Sequence, residues 1–474
     1  MLISHTLKYL PAQLLSPAAQ LISVILWTHW LAPAEMGVFT LVSATQEIVF
    51  NVSLGWFSLY ALRYLPAAED VEARRRYLGT ENVVVLASLI GAALAAAVAA
   101  WSLHDVYAPW LAAVVIGLFF ATRALNTHYG ERARAQSAFL AYNVLQIAGP
   151  VGGLALGLLA VQYLDASARL LFAAYSGAQV LGTVLALPML GMRWHLSRPD
   201  PVLLRAAVVF GAPMLGLGGL GWIAENYIRY LVQWESGTAA LGLMVIGWSL
   251  GRRCAAVATM LVATAAFPLA SRLLNDGRRE EALAQLRINA AMLVGVLLPV
   301  TAALQLLGPE LVRLTVAAEY QQTTSALLGL AVLAGMLRNL HLHITDQLML
   351  LELRLKVLAL VAVVEIVACT VFSYIGLRQY GLEGAVIGQA IGSTLALGFS
   401  MHWVRIRLGF PWPWRETFKV MLAAAIMAAA IAQFGGDQGW QGLLMGIAVG
   451  SFSYAVALLV VFARDLRRLR ASTG

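Results

Sequence analysis

Residues 82–101 read NVVVLASLIGAALAAAVAAW, a run without a single charged side chain. About 20 apolar residues rising ~1.5 Å each match the ~30 Å hydrocarbon core of a bilayer. The run is continuous, whereas a barrel strand alternates lipid-facing and lumen-facing residues over about ten positions, so a barrel is excluded. Runs of the same kind recur along the chain, near 12–31, 36–60, 108–127, 141–161, 168–190, 206–232, 239–264, 287–307, 323–345, 356–376, 382–404, 417–434 and 440–462. Together they predict an all-α integral membrane protein of about 14 transmembrane helices. The composition agrees: 60% of the 474 residues are hydrophobic and 12% are charged, with a mean hydropathy of +0.77. Soluble chains carry about 25% charged residues, so a soluble enzyme is excluded, and the short connections leave no room for an extramembrane catalytic domain.

Basic residues orient the spans, because Lys and Arg concentrate in cytoplasmic loops. Placing both termini inside puts Lys8, Arg74 to Arg76, Arg123, Arg132, Arg134, Arg193, Arg272, Arg278, Arg279, Arg354, Lys356, Arg415 and Arg464 to Arg470 on the cytoplasmic side. Only Arg169, Arg313 and Arg378 then fall outside. The net charge of +8 therefore reports orientation, and arginines scattered over many short loops are not a nucleic-acid footprint. Cys254 and Cys369 lie in apolar runs without metal or disulfide spacing, and no metal site or cofactor is expected. The N-terminal run, interrupted by Pro11 and Pro17, reads as a retained first helix. A coarse repeat is visible: Ala34-Glu35-Met36-Gly37-Val38 opens the second span and Ala239-Ala240-Leu241-Gly242-Leu243 the eighth. It predicts two pseudo-symmetric six-helix lobes, 1–200 and 201–410, followed by an extra helix pair with a basic tail, 411–474.

With that layout in place, the chain resembles the polysaccharide transporter family, the O-antigen and lipid-linked oligosaccharide flippases of the MOP superfamily that also holds the MATE drug exporters. The resemblance rests on ordered landmarks: Leu31-Ala-Pro-Ala-Glu-Met-Gly-Val-Phe39 with Arg63-Tyr64, Phe210-Gly211-Ala212-Pro213, Ala239 to Leu243, Ala266-Phe267-Pro268 and Tyr380-Gly-Leu-Glu-Gly-Ala385. It departs at Met36 and Met244, where the family often has an aromatic residue, and at Asn226 to Arg229, which replace a common Asp-Arg pair. The resemblance implies a flippase that moves a polyprenyl-pyrophosphate-linked glycan across the bacterial inner membrane by alternating access. Membrane lipids, a proton or sodium ion, and polysaccharide polymerase and export machinery are the partners it brings into view, and no catalytic residues are expected.

An ionised side chain at mid-bilayer costs several kcal/mol unless it faces protein, water or a partner, so each is a candidate site. Arg252 lies on a stripe of small and polar residues with Ser249, Ala256, Thr259 and Ala263. It is the first candidate for the pyrophosphate, since guanidinium stays charged and offers several donors; the alternative is that Arg252 and Arg253 snorkel to headgroups. Arg63, Arg229 and Arg338 are further substrate-binding candidates. Glu225 and Arg229 have the i, i+4 spacing of an intrahelical pair, with a structural salt bridge and a proton-released arginine both open. Arg338, Asn339, His341, His343, Thr345 and Asp346 make a helix too polar to face lipid, and His341 and His343 diverge too far to share a metal. Glu47, on a stripe with Thr40, Ser43, Asn51 and Ser58, is the first ion-coupling candidate, with a constant salt bridge as the alternative; Glu225 and Glu365 follow.

Other patterns carry no chemistry. Gly216 to Gly221 matches GxGxxG without a preceding strand, and close helix packing or a hinge after Pro213 is expected instead. Gly384, Gly388, Gly392 and Gly442, Gly446, Gly450 are double GxxxG runs for helix packing. No GxxxxGK[ST] loop exists, so direct use of ATP is not expected. Two rival functions remain at this point: a MATE-like cation or drug antiporter, which would favour acids over fixed arginines, and a membrane-embedded glycosyltransferase or ligase, which would need an outward loop or carboxylate cluster.

Overall fold

Proline, glycine and short polar turns punctuate a chain that is otherwise helical. The computed structural model describes residues 2–67, 70–103, 108–191, 198–434 and 439–473. Its helices are α1 (Leu2–Trp27), α2 (Pro33–Phe50), α3 (Trp56–Tyr64), α4 (Val71–Ser102), α5 (Pro109–Ala135), α6 (Phe139–Ile147), α7 (Gly153–Tyr163), α8 (Ala168–Ala186), α9 (Pro201–Asn275), α10 (Arg279–Thr315), α11 (Ala318–Leu340), α12 (Asp346–Leu351), α13 (Leu355–Leu408), α14 (Trp414–Phe434) and α15 (Trp440–Thr473). Five-residue π-helical segments, Asn51–Gly55, Ala148–Gly152 and His341–Thr345, join α2 to α3, α6 to α7 and α11 to α12. In the second of these Pro150 lacks an N–H, and the wider π register absorbs the missing i→i−4 bond. Twelve helical stretches of the described residues are long and apolar enough to cross a membrane, and the protein is multi-pass.

Two of those stretches, Pro201–Val262 with 62 residues and Leu355–Leu408 with 54, exceed one crossing. Each contains one non-helical glycine, Gly237 (φ 82°) and Gly381 (φ 62°), where a side chain would be strained. Both fold back there. Arg229 and Trp248 would be about 28 Å apart on one straight helix, yet the guanidinium carbon lies 5.0 Å from the indole centroid. In α13 the glycines of the second arm lie directly on the first: Gly384 on Gly376, Gly388 on Phe372, and Gly392 on Cys369. Lipid is as apolar as leucine, so this close backbone approach, rather than water exclusion, holds such helices together.

The chain forms two compact units, Met1–Asn226 and Tyr227–Gly474. In the first, α5 packs on α3, α4, α6 and α8. Trp27 is fully enclosed because Gly157 leaves room for it; a Cβ there would sit 2.8 Å from the indole. The α2 and α8 ends are tied by Glu35, whose Oε2 accepts from the Ala168 N–H (2.6 Å) at the start of α8, a favourable place for a carboxylate. In the second unit α11 packs between α10 and α13. The second arm of α9 meets α11 through Gly247 and Gly251, where a Cβ would lie 2.9 Å from the Thr324 carbonyl and 2.7 Å from the Val332 nitrogen. Large apolar side chains such as Leu94, Trp101, Leu459 and Val460 cover the outer faces, as lipid contact requires.

One expectation is corrected. Gly216, Gly218, Gly219 and Gly221 do not mediate close packing, because a Cβ on any of them would meet no atom within 4 Å. The helix runs on through Pro213, and Gly237 is the non-helical residue of α9. Arg193 and the side chains of Ala266-Phe267-Pro268 and of the Arg464 to Arg470 arginines lie outside the described residues.

Candidate functional site

The fold-back at Gly237 brings two of the predicted arginines to one ring. Arg229 on the first arm of α9 and Arg252 on the second place their guanidinium carbons 5.0 and 5.1 Å from the Trp248 centroid. Trp248 is buried and its Nε1–H donates to Gln389 Oε1 on α13 at 2.9 Å, which fixes the ring plane. An indole face is the best aromatic partner for guanidinium, and stacking on it orients the planar fork. Glu225, one turn before Arg229, is half-buried. Arg63 lies elsewhere, exposed at the end of α3, with its guanidinium 5.5 Å from both the Tyr64 and Phe210 rings.

Arg338 and Glu365 belong to a different constellation. Arg338 Nη1 donates to Glu365 Oε1 at 2.5 Å, with side-chain exposures of 8% and 4%. His341 stands between two acids: its Nε2 is 3.3 Å from Glu365 Oε1 and its Nδ1 3.3 Å from Asp346 Oδ2. The π segment His341–Thr345 sets this up by offsetting Asp346 from the regular helical register. With the ring as imidazolium the four charges cancel, the arrangement a packed interior requires. His343 turns away to Gln347, and the described residues hold no cluster suited to a metal.

The first unit contains a corresponding cluster that sequence reasoning missed. Glu81 on α4 receives Arg132 Nη1 at 2.5 Å on Oε2 and His128 Nε2 at 3.0 Å on Oε1, and all three side chains are at most 1% exposed. Ser58 on α3 lies 2.8 Å from the other ring nitrogen, Nδ1. The charge pattern places Arg132 near the cytoplasmic surface; it is buried because α5 runs on to Ala135, about two helical turns beyond His128. The signal present in the sequence was the i, i+4 spacing of His128 and Arg132, which puts both on one face. Glu47 is set apart from this cluster: it is 3.7 Å from Arg123, both side chains half-exposed at 45% and 36%.

The second unit also has an apolar groove of about 910 Å³ between α10, α14 and α15, lined by Leu283, Ile288, Met292, Val296, Leu458 and Phe462. Arg287 and Glu416, 3.6 Å apart, stand at it.

Fixed guanidinium groups inside a helical membrane protein are chemically suited to an anion. The model of the family described as "Polysaccharide biosynthesis protein" matches residues 30–325, well over half of the chain. The chain belongs to this polysaccharide biosynthesis protein family. The chain has the fold of MOP superfamily transporters. Among solved structures, an inward closed form of the lipid II flippase MurJ superposes with a TM-score of 0.72 at 13% identity, covering 98% of this chain and 99% of that one. An inward-facing MATE multidrug transporter gives 0.63 at 17% identity over 83% and 94%, and an outward-facing one 0.56 at 17% over 86% and 95%. At these identities the likeness is one of fold. No curated protein sequence matches the chain. In this family member the landmark segments turn out to be turns and caps: Glu35 caps α8, Gly381 reverses α13, and Gly211 seats Trp56.

Proposed function

We propose that this protein flips a polyprenyl-pyrophosphate-linked oligosaccharide across the bacterial inner membrane by alternating access, from the cytoplasmic to the outer leaflet. The observation that carries the reading is the pair Arg229 and Arg252 on Trp248. Two guanidinium groups held on one ring offer a diphosphate paired charge-assisted donors that stay charged in low dielectric. The apolar groove beside α14 and α15 supports the lipid half of the substrate, since a polyprenyl chain needs a continuous apolar track. A MATE-like exchange of cations is disfavoured by the same arginines. In this reading the fold-backs at Gly237 and Gly381 turn twelve stretches into fourteen spans with both termini cytoplasmic, arranged as lobes 1–200 and 201–410 and the pair 411–474. Arg252 and Arg229 hold the headgroup, and Arg63 stands at the cytoplasmic entrance. Of the coupling acids, Glu47 is the open one, whereas Glu365 is tied to Arg338.

The test is transport by purified protein in liposomes carrying a fluorescent polyprenyl-diphosphate N-acetylglucosamine probe, read by dithionite quenching of the outer leaflet. Wild type should raise the flipping rate above protein-free liposomes, and Arg252→Ala should abolish most of that gain. Equal flipping by wild type and empty liposomes, across probes of different sugar, would overturn the proposal.

A further inference from the structure

We infer that His128, held between Glu81 and Ser58, is a proton-binding site that loads from the small pocket beside α3 and unloads during the cycle. The inference rests on the transporter reading above and adds a second, enclosed coupling site to the open Glu47.

Hydrogen-bond capacity carries the argument. Glu81 is bound by Arg132 and accepts from His128, so Nε2 bears a hydrogen. Ser58 Oγ is 2.8 Å from Nδ1 and also 3.1 Å from the Leu54 carbonyl oxygen in the π segment before α3. A hydroxyl has one hydrogen. With a neutral ring, Nδ1 and the Leu54 carbonyl compete for it; with an imidazolium, Nδ1–H donates to Ser58 and Ser58 donates to Leu54, and every group is satisfied. The same heavy-atom positions therefore serve both protonation states. His341 lacks this freedom, because acids face both of its ring nitrogens.

Access comes from a pocket of about 190 Å³ with mostly apolar walls, among them Trp56 and Met214, in which Ser58, Asn51, Thr127 and Glu131 supply the polar groups. At roughly 30 Å³ per water it holds several molecules. In loading, a hydronium in the pocket gives its proton to Ser58 Oγ as Ser58 passes its own hydrogen to Nδ1. One O–H bond of hydronium is broken, one N–H bond is formed, and a water is returned.

Glu81 from α4 and Ser58 from α3 contact the ring nitrogens, Phe57 from α3 and Tyr129 from α5 itself lie against the ring, and Arg132 from α5 reaches it through Glu81, beside which Tyr77 of α4 also lies. Glu81 and Arg132 cancel, so the empty site is neutral and the loaded site carries one positive charge. A conformation that hydrates the pocket, or brings an anion near, favours the loaded state, and that differential is what couples proton to transport.

The experiment uses the full chain in lipid bilayers with ¹⁵N-labelled histidine, titrated by solid-state NMR from about pH 9 to about pH 5, the range that brackets histidine protonation. The His128 Nδ1 signal, assigned by its loss in His128→Gln, should pass from the unprotonated to the protonated position. In Ser58→Ala the ratio of protonated to unprotonated ring at a fixed pH should change about threefold or more. A His128 ring that keeps one state throughout overturns the site. The liposome assay is then run under imposed inward and outward proton gradients. Wild type should show a several-fold rate ratio between the two directions, which falls towards one in His128→Gln and is reduced in Ser58→Ala, with flipping at zero gradient retained. An unchanged ratio in both variants overturns the coupling role. A titrating His128 in a protein that flips no probe supports the proton site and counts against the flippase reading alone.

Discussion

The two units bury the same three residue types, an arginine, a histidine and a glutamate, and differ in what stands at the histidine's second ring nitrogen. In the first unit it is the Ser58 hydroxyl, in the second the Asp346 carboxylate. The first arrangement is neutral without a proton on that nitrogen, the second only with one. Residue type alone therefore does not set the charge of a buried cluster; the partner on the next helix does.

The sharpest way to break the comparison is to delete an acid from each side. Glu365→Leu strands both Arg338 and His341 in a packed site and should cost about 3–5 kcal/mol, seen as loss of monodisperse protein or a large drop in thermal midpoint in detergent. Arg338→Met combined with Glu365→Leu should recover much of that loss. Equal stability of the single and wild-type proteins would mean the cluster is open to water. The two glycine runs give a second contrast. Gly388→Ala presses a methyl onto the Phe372 backbone and should destabilise by about 1–3 kcal/mol, whereas Gly218→Ala enters open space and should be neutral or stabilise by up to about 1 kcal/mol. Matching thermal midpoints for the two variants would remove the close-approach account of α13.

Transport variants separate the arginines by the partners they have. Arg252→Ala should lower flipping about tenfold or more, the equivalent of ~1.4 kcal/mol or more. Arg252→Lys should keep part of it, because ammonium supplies the charge without the planar fork. Arg63→Ala, at an exposed position, should have a smaller effect on the same assay. The smallest stability change is expected from Glu47→Gln, since a half-exposed pair with Arg123 at 3.7 Å contributes about 0–1 kcal/mol. Its value lies in the gradient assay: retention of the full wild-type proton and sodium dependence would exclude Glu47 and leave the His128 site as the coupling element.

Much of the architecture was legible without coordinates. Continuous apolar runs, the absence of room for a soluble domain, and the Pro33 and Gly381 punctuation depend on local backbone chemistry and on the thickness of a bilayer, both of which act on contiguous residues. The polarity of residues 338–346 likewise announced a segment turned away from lipid, packed or wet, since no lipid-facing helix tolerates it. The GxGxxG stretch misled because glycine spacing states where close approach is permitted and not whether another helix arrives.

The sequence by itself determined that this chain is a multi-pass helical membrane protein with several charges inside the apolar spans. Tertiary structure decided which of those charges meet. Glu81 and His128 are 47 residues apart, Arg338 and Glu365 27, and Arg229 reaches Trp248 only because Gly237 reverses the helix. A side chain's own spacing fixes the face it takes on its helix, but the sign and number of partners across the interface come from helices elsewhere in the chain. In low dielectric those partners determine whether a group stands as a locked ion pair, a proton site or an anion receptor.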